Sequence, residues 1–326
     1  MKTIASVALL SACSSVSQTS VKATFSEIFL EAPGPKGPLK GTLLTPDLTP
    51  DGVVLIIPGS GPTDRDGNNP LGVKASAYRL LAKGLAAKGF ATLRIDKRGM
   101  FASAMAVQDA NAVTIADYVD DIRAWIKVLR REMPASCIWL AGHSEGGVVA
   151  LASAPEEEVC GVVLIATPGR PMGEVLREQF KANPANAALL KEALPIIDAL
   201  EHRRRIDTTN IHPALQSLFH SSVQGFLIDA FSYDPRQLIS TLSKPVLVLQ
   251  GQRDLQVTED DARQLKAANP QASLMVFPDM NHVMKEVTSD LQDNIASYAE
   301  PALPLAPGLI DSIAHFLIRN SPFCAK

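Results

Sequence analysis

Cys137-Ile138-Trp139-Leu140-Ala141-Gly142-His143-Ser144-Glu145-Gly146-Gly147 is the stretch on which the reading of this chain turns. Its first five residues form a continuous apolar run, as expected of a strand buried on both faces. The next residues place Ser144 in the pattern Gly-x-Ser-x-Gly, and residues 146–154 read as a helix. A strand that breaks into a tight turn and then a helix carries its central residue on a strained bend. The Ser144 hydroxyl would there stand clear of the sheet. Gly142 and Gly146 would leave room for neighbouring backbone, and the helix N-terminus would face negative charge developing beside the serine.

The surroundings repeat the same theme. Residues 53–57 are Val-Val-Leu-Ile-Ile, ended by Pro58-Gly59. Residues 75–88 have helical spacing closed by Gly89, and residues 90–95 read as another strand. Ile115, Val119, Ile122, Ile126 and Leu129 lie three or four apart, which predicts one apolar face of a helix over 113–131. Downstream, strands are expected over 161–166, 245–250 and 273–277, and helices over 260–269 and 310–319. Strands alternating with helices predict an α/β domain with a mostly parallel sheet covered on both faces. Residues 24–30 and 39–44 precede this rhythm as a strand pair joined by a turn rich in proline and glycine. From about 168 to 242 the alternation lapses. Helices read over 172–181, 187–204 and 212–231 suggest an inserted helical cap in a domain running from 24 to 326.

A serine hydroxyl needs a base, and the base needs an orienting carboxylate. Asp254 follows the strand over 245–250, in Gly251-Gln252-Arg253-Asp254, and His282 follows the strand over 273–277, in Asp279-Met280-Asn281-His282. Both fall in post-strand loops, in the chain order serine, acid, histidine. The rivals are weaker. His143 adjoins the serine but should point away on the turn and serve packing. His202, His212 and His220 fall in the cap, His315 on the last helix, and Asp279 lies only three residues before His282. Two backbone N–H groups are candidates for an oxyanion hole: that of Glu145, and that of Ser60 in the loop Pro58-Gly59-Ser60-Gly61-Pro62. No Gly-Lys-Ser/Thr follows this glycine-rich loop, so it is not a phosphate cradle. Asp64, Arg65 and Asp66 admit two readings. Arg65 could meet a substrate carboxylate, but a loop braced by charge pairs, against Arg98 or the backbone, is favoured.

The chain has 326 residues, 46% of them hydrophobic, which allows a sizeable core. A formal net charge of -3 and 5% aromatic residues give no case for a nucleic-acid partner. No cofactor or metal is called for, since no cysteine–histidine spacing suggests zinc. Met1-Lys2, a short apolar stretch and Leu10-Ser11-Ala12-Cys13 read as a secretory leader, followed by a polar tether to residue 23. The tetrapeptide resembles the lipobox of bacterial lipoproteins, which implies lipidation at Cys13 and a periplasmic or outer-membrane-anchored chain; the alternative is a cytoplasmic protein. Of the four cysteines, Cys137 and Cys160 adjoin apolar strands and are expected to be buried free thiols.

With these motifs the chain resembles the bacterial α/β-hydrolase esterases, near the dienelactone-hydrolase-like and serine-aminopeptidase-like branches. The resemblance runs from about residue 24 onward. It rests on the Gly-His-Ser-Glu-Gly-Gly elbow, the loop from Pro58 to Asn68, the Asp96-Lys97-Arg98-Gly99 turn and Asn281-His282. It implies the α/β-hydrolase fold, a triad of Ser144, Asp254 and His282, and a small-molecule ester as substrate. Two departures stand out. Pro58 occupies the place of a histidine in many relatives, and Phe101 the place of a second glycine. Carboxylesterase is preferred to peptidase, because no charged anchor for a peptide terminus is identifiable. A thioesterase or lactone hydrolase would use the same residues, and a catalytically silent binding protein is the alternative from another class.

Overall fold

A computed structural model describes residues 25–134 and 136–321. Eight strands form one sheet: β1 (Phe25–Ala32), β2 (Leu39–Pro46), β3 (Val53–Ile57), β4 (Ala91–Ile95), β5 (Ile138–His143), β6 (Val159–Ile165), β7 (Val246–Gly251) and β8 (Ser273–Phe277). Their spatial order is β1-β2-β4-β3-β5-β6-β7-β8. The β1–β2 and β2–β4 pairs are antiparallel and all later pairs are parallel. The expected mostly parallel α/β sheet is therefore what the chain forms.

The apolar runs are explained by burial on both faces. In β3, Val53, Leu55 and Ile57 enter one core cluster, and Val54 and Ile56 the opposite one. That is the period-two alternation of a strand with both sides covered. Helices α1 (Ala77–Ala86) and α11 (Leu309–Asn320) cover one face. Helices α2 (Ile115–Glu132), α3 (Glu145–Ser153) and α9 (Glu259–Ala268) cover the other. Thr114 starts α2 with a reciprocal capping box to Asp117. The chain runs from β3 to one side into β4, then to the other side into β5, so the order reverses between β3 and β5. Loops at the carboxyl ends of two such strands diverge and leave a crevice, the usual ligand position in open α/β sheets.

Between β6 and β7 lie five helices: α4 (Met172–Ala182), α5 (Leu190–Glu201), α6 (Pro213–Phe219), α7 (Gln224–Phe231) and α8 (Pro235–Ser240). Helices α4 to α7 share a small core of their own, in which Phe180 and Phe219 stack with ring centroids 6.3 Å apart. The helix expected over 212–231 is two helices. The Phe219 carbonyl accepts from Thr208 Oγ1 at 3.2 Å and from Gln224 Nε2 at 2.9 Å, side-chain bonds that replace the helical ladder and let the chain turn. The insertion is tied down by α2 and α9. Ile115 N–H donates to Asp229 at 2.7 Å, and the Arg170 guanidinium reaches both carboxylate oxygens of buried Asp261, at 2.8 and 2.9 Å.

Two sequence expectations need correction. Cys137 and Cys160 are a disulfide, not free thiols, with Cα atoms 5.8 Å apart, inside the usual range. The register explains why. Ile138 pairs with Val159 but Trp139 with Gly161, so Cys160 is the extra residue of an irregularity in β6 beside Ile138, the residue after Cys137. The second correction concerns the acidic loop after β3. The loop is not braced against Arg98, which clasps Asp121 and Asp117 on α2. It is braced against backbone, as Asp64 accepts the Asp66 and Asn68 N–H groups at 2.8 Å. Its charge pairs have other partners: the Arg65 backbone and guanidinium hold Asp96, at 2.9 and 3.0 Å, and Asp66 pairs with Arg94. Phe101, standing in for a glycine, takes a glycine-like φ of 45°. Cys13, Cys324 and the leader over residues 1–23 lie outside the described residues.

Candidate active site

Ser144 stands between β5 and α3 with φ 54° and ψ −124°, a region that side-chain-bearing residues rarely occupy. Its N–H donates to the Ile165 carbonyl at 2.9 Å, anchoring the bend to β6. The glycines around it are steric requirements. A Cβ on Gly142 would collide with the Gly146 backbone, and one on Gly146 with the Ile57 and Pro58 carbonyls. The whole elbow therefore sits against the end of β3, as the strand–turn–helix reading requires.

Asp254 and His282 come together across the ends of β7 and β8. His282 Nδ1 lies 2.8 Å from Asp254 Oδ2, and both side chains are almost wholly buried. The other Asp254 oxygen accepts N–H groups of Gln256 and Val257 at 2.7 and 2.9 Å, and Gln250 Nε2 reaches Oδ2 at 3.2 Å. Burial by itself would raise this carboxyl. The His282 contact and the two backbone donors outweigh it and hold Asp254 below the ordinary carboxylate range. Because Nδ1 faces the carboxylate, His282 is left with Nε2 for other partners.

A helix that sequence reading missed holds these two loops in register. α10 (Leu291–Ser297) starts at Asp290, whose side chain accepts the N–H groups of Gln292 and Asp293. From it, Asn294 and Ser297 accept the Asn281 amide at 3.0 and 2.7 Å, and Asn294 Nδ2 donates to the Arg253 carbonyl at 2.7 Å. Asn281 precedes His282 and Arg253 precedes Asp254, so one short helix sets both. The Ser-Asp pair before an apolar residue was its available signal.

His143 packs inside, as its place on the turn suggested, but it also joins the parts of the site. Its ring is fully buried, 2.8 Å from the Tyr78 hydroxyl through Nδ1 and 2.8 Å from the His282 carbonyl through Nε2. A carbonyl can only accept, so Nε2 carries the proton and Nδ1 accepts from Tyr78. The Gly59 N–H in turn donates to the Tyr78 oxygen at 3.1 Å. Burial, reinforced by neighbouring His282, pushes the His143 pKa down to about 3, so this ring is neutral at ordinary pH. The remaining rivals have local duties. Asp279 lies 3.4 Å from Arg253, His212 caps α6, and His220 accepts the Ser222 N–H.

Ser144 and His282 line one cavity of about 120 Å³ together with Gly59, Ser60, Thr63, Asn69, Val73, Tyr78, Gln256 and Tyr298. Ser60, in the loop after β3, lines this cavity, and Glu145, the first residue of α3, directly follows the serine. No aspartate, glutamate, lysine or arginine lines this cavity among the described residues. Gln256 also borders a larger groove of about 600 Å³ along α4, with Val175, Ala182, Leu255 and Leu291 in its wall beside the charged Arg170 and Glu178.

Comparison with known proteins gives a consistent set of relatives. The serine aminopeptidase S33 family matches residues 71–286. Esterase EstD of Thermotoga maritima is 27% identical over 275 residues, which are 82% of this chain and 62% of EstD. The chain thus spans under two thirds of the length of that curated relative. Among solved structures, the Pyrococcus furiosus esterase Pf2001 is similar at a TM-score of 0.55 and 18% identity, over 90% of this chain and 93% of that one. Est1E from Butyrivibrio proteoclasticus, in a structure with ferulic acid bound, is similar at a TM-score of 0.59 and 14% identity, over 89% of this chain and 98% of that one. At such identities the structural likeness speaks to the fold.

Proposed function

Because this chain belongs to the serine aminopeptidase S33 family, whose fold here is that of the α/β hydrolases, we propose that it is a serine hydrolase cleaving carboxylic esters through an acyl-enzyme on Ser144. The observation that carries this reading is the buried Asp254–His282 pair at 2.8 Å, opening onto the cavity that Ser144 lines. His282 Nε2 takes the hydroxyl proton as Ser144 Oγ attacks the ester carbonyl. Asp254 holds the imidazole in the tautomer with Nδ1 protonated and stabilises the imidazolium. The Ser60 and Glu145 N–H groups receive the tetrahedral oxyanion, each contributing about 3 kcal/mol to the transition state. The imidazolium returns its proton to the leaving alcohol. Water then attacks the acyl-enzyme with the same base, releasing the carboxylic acid and regenerating Ser144.

Two features favour esters over peptides. The cavity wall offers no charged anchor for a peptide terminus. The curated relative EstD and the Pyrococcus furiosus protein Pf2001 are called esterases. A space of about 120 Å³ beside the serine suits a short acyl group. The test is hydrolysis of short and long acyl esters by the wild type and by Ser144→Ala. Short esters should be cleaved faster, and the variant should lose at least about 10⁴-fold in kcat. Equal activity in the two proteins would remove Ser144 from the mechanism, and no activity in either would favour a silent binding protein.

The disulfide also bears on location. Such bonds persist in oxidising compartments, so the Cys137–Cys160 bridge supports export of the chain; that Cys13 is lipidated after cleavage of the leader is proposed from the Leu10-Ser11-Ala12-Cys13 tetrapeptide. Cys13→Ser should abolish membrane partitioning and change the mature mass; a variant that behaves as the wild type does rules the anchor out.

A further inference from the structure

The Gly59 main chain is gripped at both ends by buried side chains from distant parts of the sequence. Its N–H donates to the Tyr78 hydroxyl at 3.1 Å, and its carbonyl accepts from the Lys97 ammonium at 2.7 Å. That carbonyl and the Ser60 N–H belong to one planar trans peptide unit. Whatever fixes the oxygen therefore fixes the direction of the N–H on the other side. The unit lies beside the serine: a Cβ added to Gly59 would come within 3.2 Å of Ser144 Cβ.

Lys97 is only 6% exposed, an unusual position for a lysine. Its surroundings include Ile57, Ile95, Ile122, Trp125 and Val149, and its ammonium lies 5.2 Å from the centre of the Tyr118 ring. Its counter-charge is Glu145 at 3.7 Å, equally buried, whose second oxygen accepts no hydrogen bond among the described residues. Two charges so enclosed meet a large desolvation cost, which close-packed apolar residues would avoid. Neither side chain lines the cavity beside Ser144, so neither is placed to hold substrate. What they reach is the backbone behind it. An ammonium on a peptide oxygen draws charge from the amide and makes its N–H a stronger donor.

We propose that Lys97 is a positioning residue of the oxyanion hole, orienting and polarising the Ser60 N–H through the Gly59 carbonyl. Glu145, which carries the second N–H donor on its own backbone, keeps Lys97 in place. One buried ion pair thereby braces both donors. The proposal rests on the ester-hydrolase reading above.

The test is Lys97→Met, after Ser144→Ala has established that hydrolysis depends on Ser144. For a short acyl ester, kcat should fall about 10- to 100-fold with KM changed less than about threefold. Affinity for a boronic acid, whose adduct on Ser144 copies the tetrahedral oxyanion, should fall by the same factor as kcat. A residue serving only the core would lower the unfolding midpoint yet leave kcat unchanged per site titrated with an organophosphonate; that result overturns the assignment. Lys97→Met strands Glu145, so the double variant Lys97→Met/Glu145→Gln, with no buried charge left over, is read by the same criteria. Failure of both to fold makes Lys97 a core residue and overturns the assignment as well. Ser144-independent hydrolysis would instead sink the parent reading, whatever Lys97 does.

Discussion

The loops around Ser144 and the helices above them are held by opposite means. Around the serine, polar groups are buried and several of their contacts end on backbone: Lys97 on Gly59, His143 on His282, Asn294 on Arg253. In the insertion, a modest apolar core carries exposed and half-exposed ion pairs such as Arg177 with Asp198 and Arg236 with Asp234. Buried polar contacts in a low dielectric are strong and leave one geometry, while exposed pairs contribute little and allow several. The first region is suited to fixing reacting atoms, and the second to accommodating different substrates over them.

This contrast can be broken by experiment, and the largest effect is expected at Asp254. Asp254→Asn keeps the shape but removes the charge and disturbs the His282 tautomer, so kcat should fall about 10³- to 10⁴-fold with little change in KM. Steady-state kinetics on a short ester checks this, and a drop below tenfold would mean that the buried site tolerates a change its packing says it cannot.

A smaller effect is expected at His143, read in stability. Its pKa is about 3 folded, against an ordinary value near 6.5 unfolded. The unfolded chain therefore binds more protons between these values. The stability that the neutral ring contributes is complete above about pH 6.5 and is lost as pH falls toward 3, by at most about 1.4 kcal/mol per pH unit. His143→Asn should be less stable than the wild type at pH 7, with the gap narrowing at pH 6 and again at pH 5 in urea titrations. A constant gap would show that the ring is not held neutral.

The smallest effect is expected above the site. Gln179 on α4 donates to the Gln256 carbonyl at 2.9 Å, joining the insertion to the loop after Asp254. Gln179→Ala should raise KM about two- to fivefold and leave kcat within about twofold, as loss of uniform binding does. A parallel fall in kcat would show that the insertion also shapes the chemistry, and the division drawn above would then be too sharp.

The sequence displayed these two regions unequally. Strands such as 53–57 and 245–250 were readable because burial on both faces forces uninterrupted apolar runs, and the elbow because its steric demands admit few residues besides glycine. Asp254 and His282 could be singled out because each follows a strand that was already legible. The break at Phe219 was not readable, since it depends on the Thr208 and Gln224 side chains turning onto one backbone carbonyl. The disulfide was hidden for a similar reason: a one-residue irregularity in β6 sets its register. Lys97 looked like any surface lysine in a charged turn, and only three-dimensional packing reveals that it is enclosed.

The placement of that disulfide has a consequence for how the molecule can change. Cys137 lies just before strand β5 and Ser144 just past its end, seven residues on, a span of roughly 20 Å along an extended chain. The covalent staple and the Ser144 hydroxyl thus occupy opposite ends of one strand. Durability and reactivity can be adjusted separately, so a variant lacking the bridge would wear out sooner while turning over substrate at an undiminished pace.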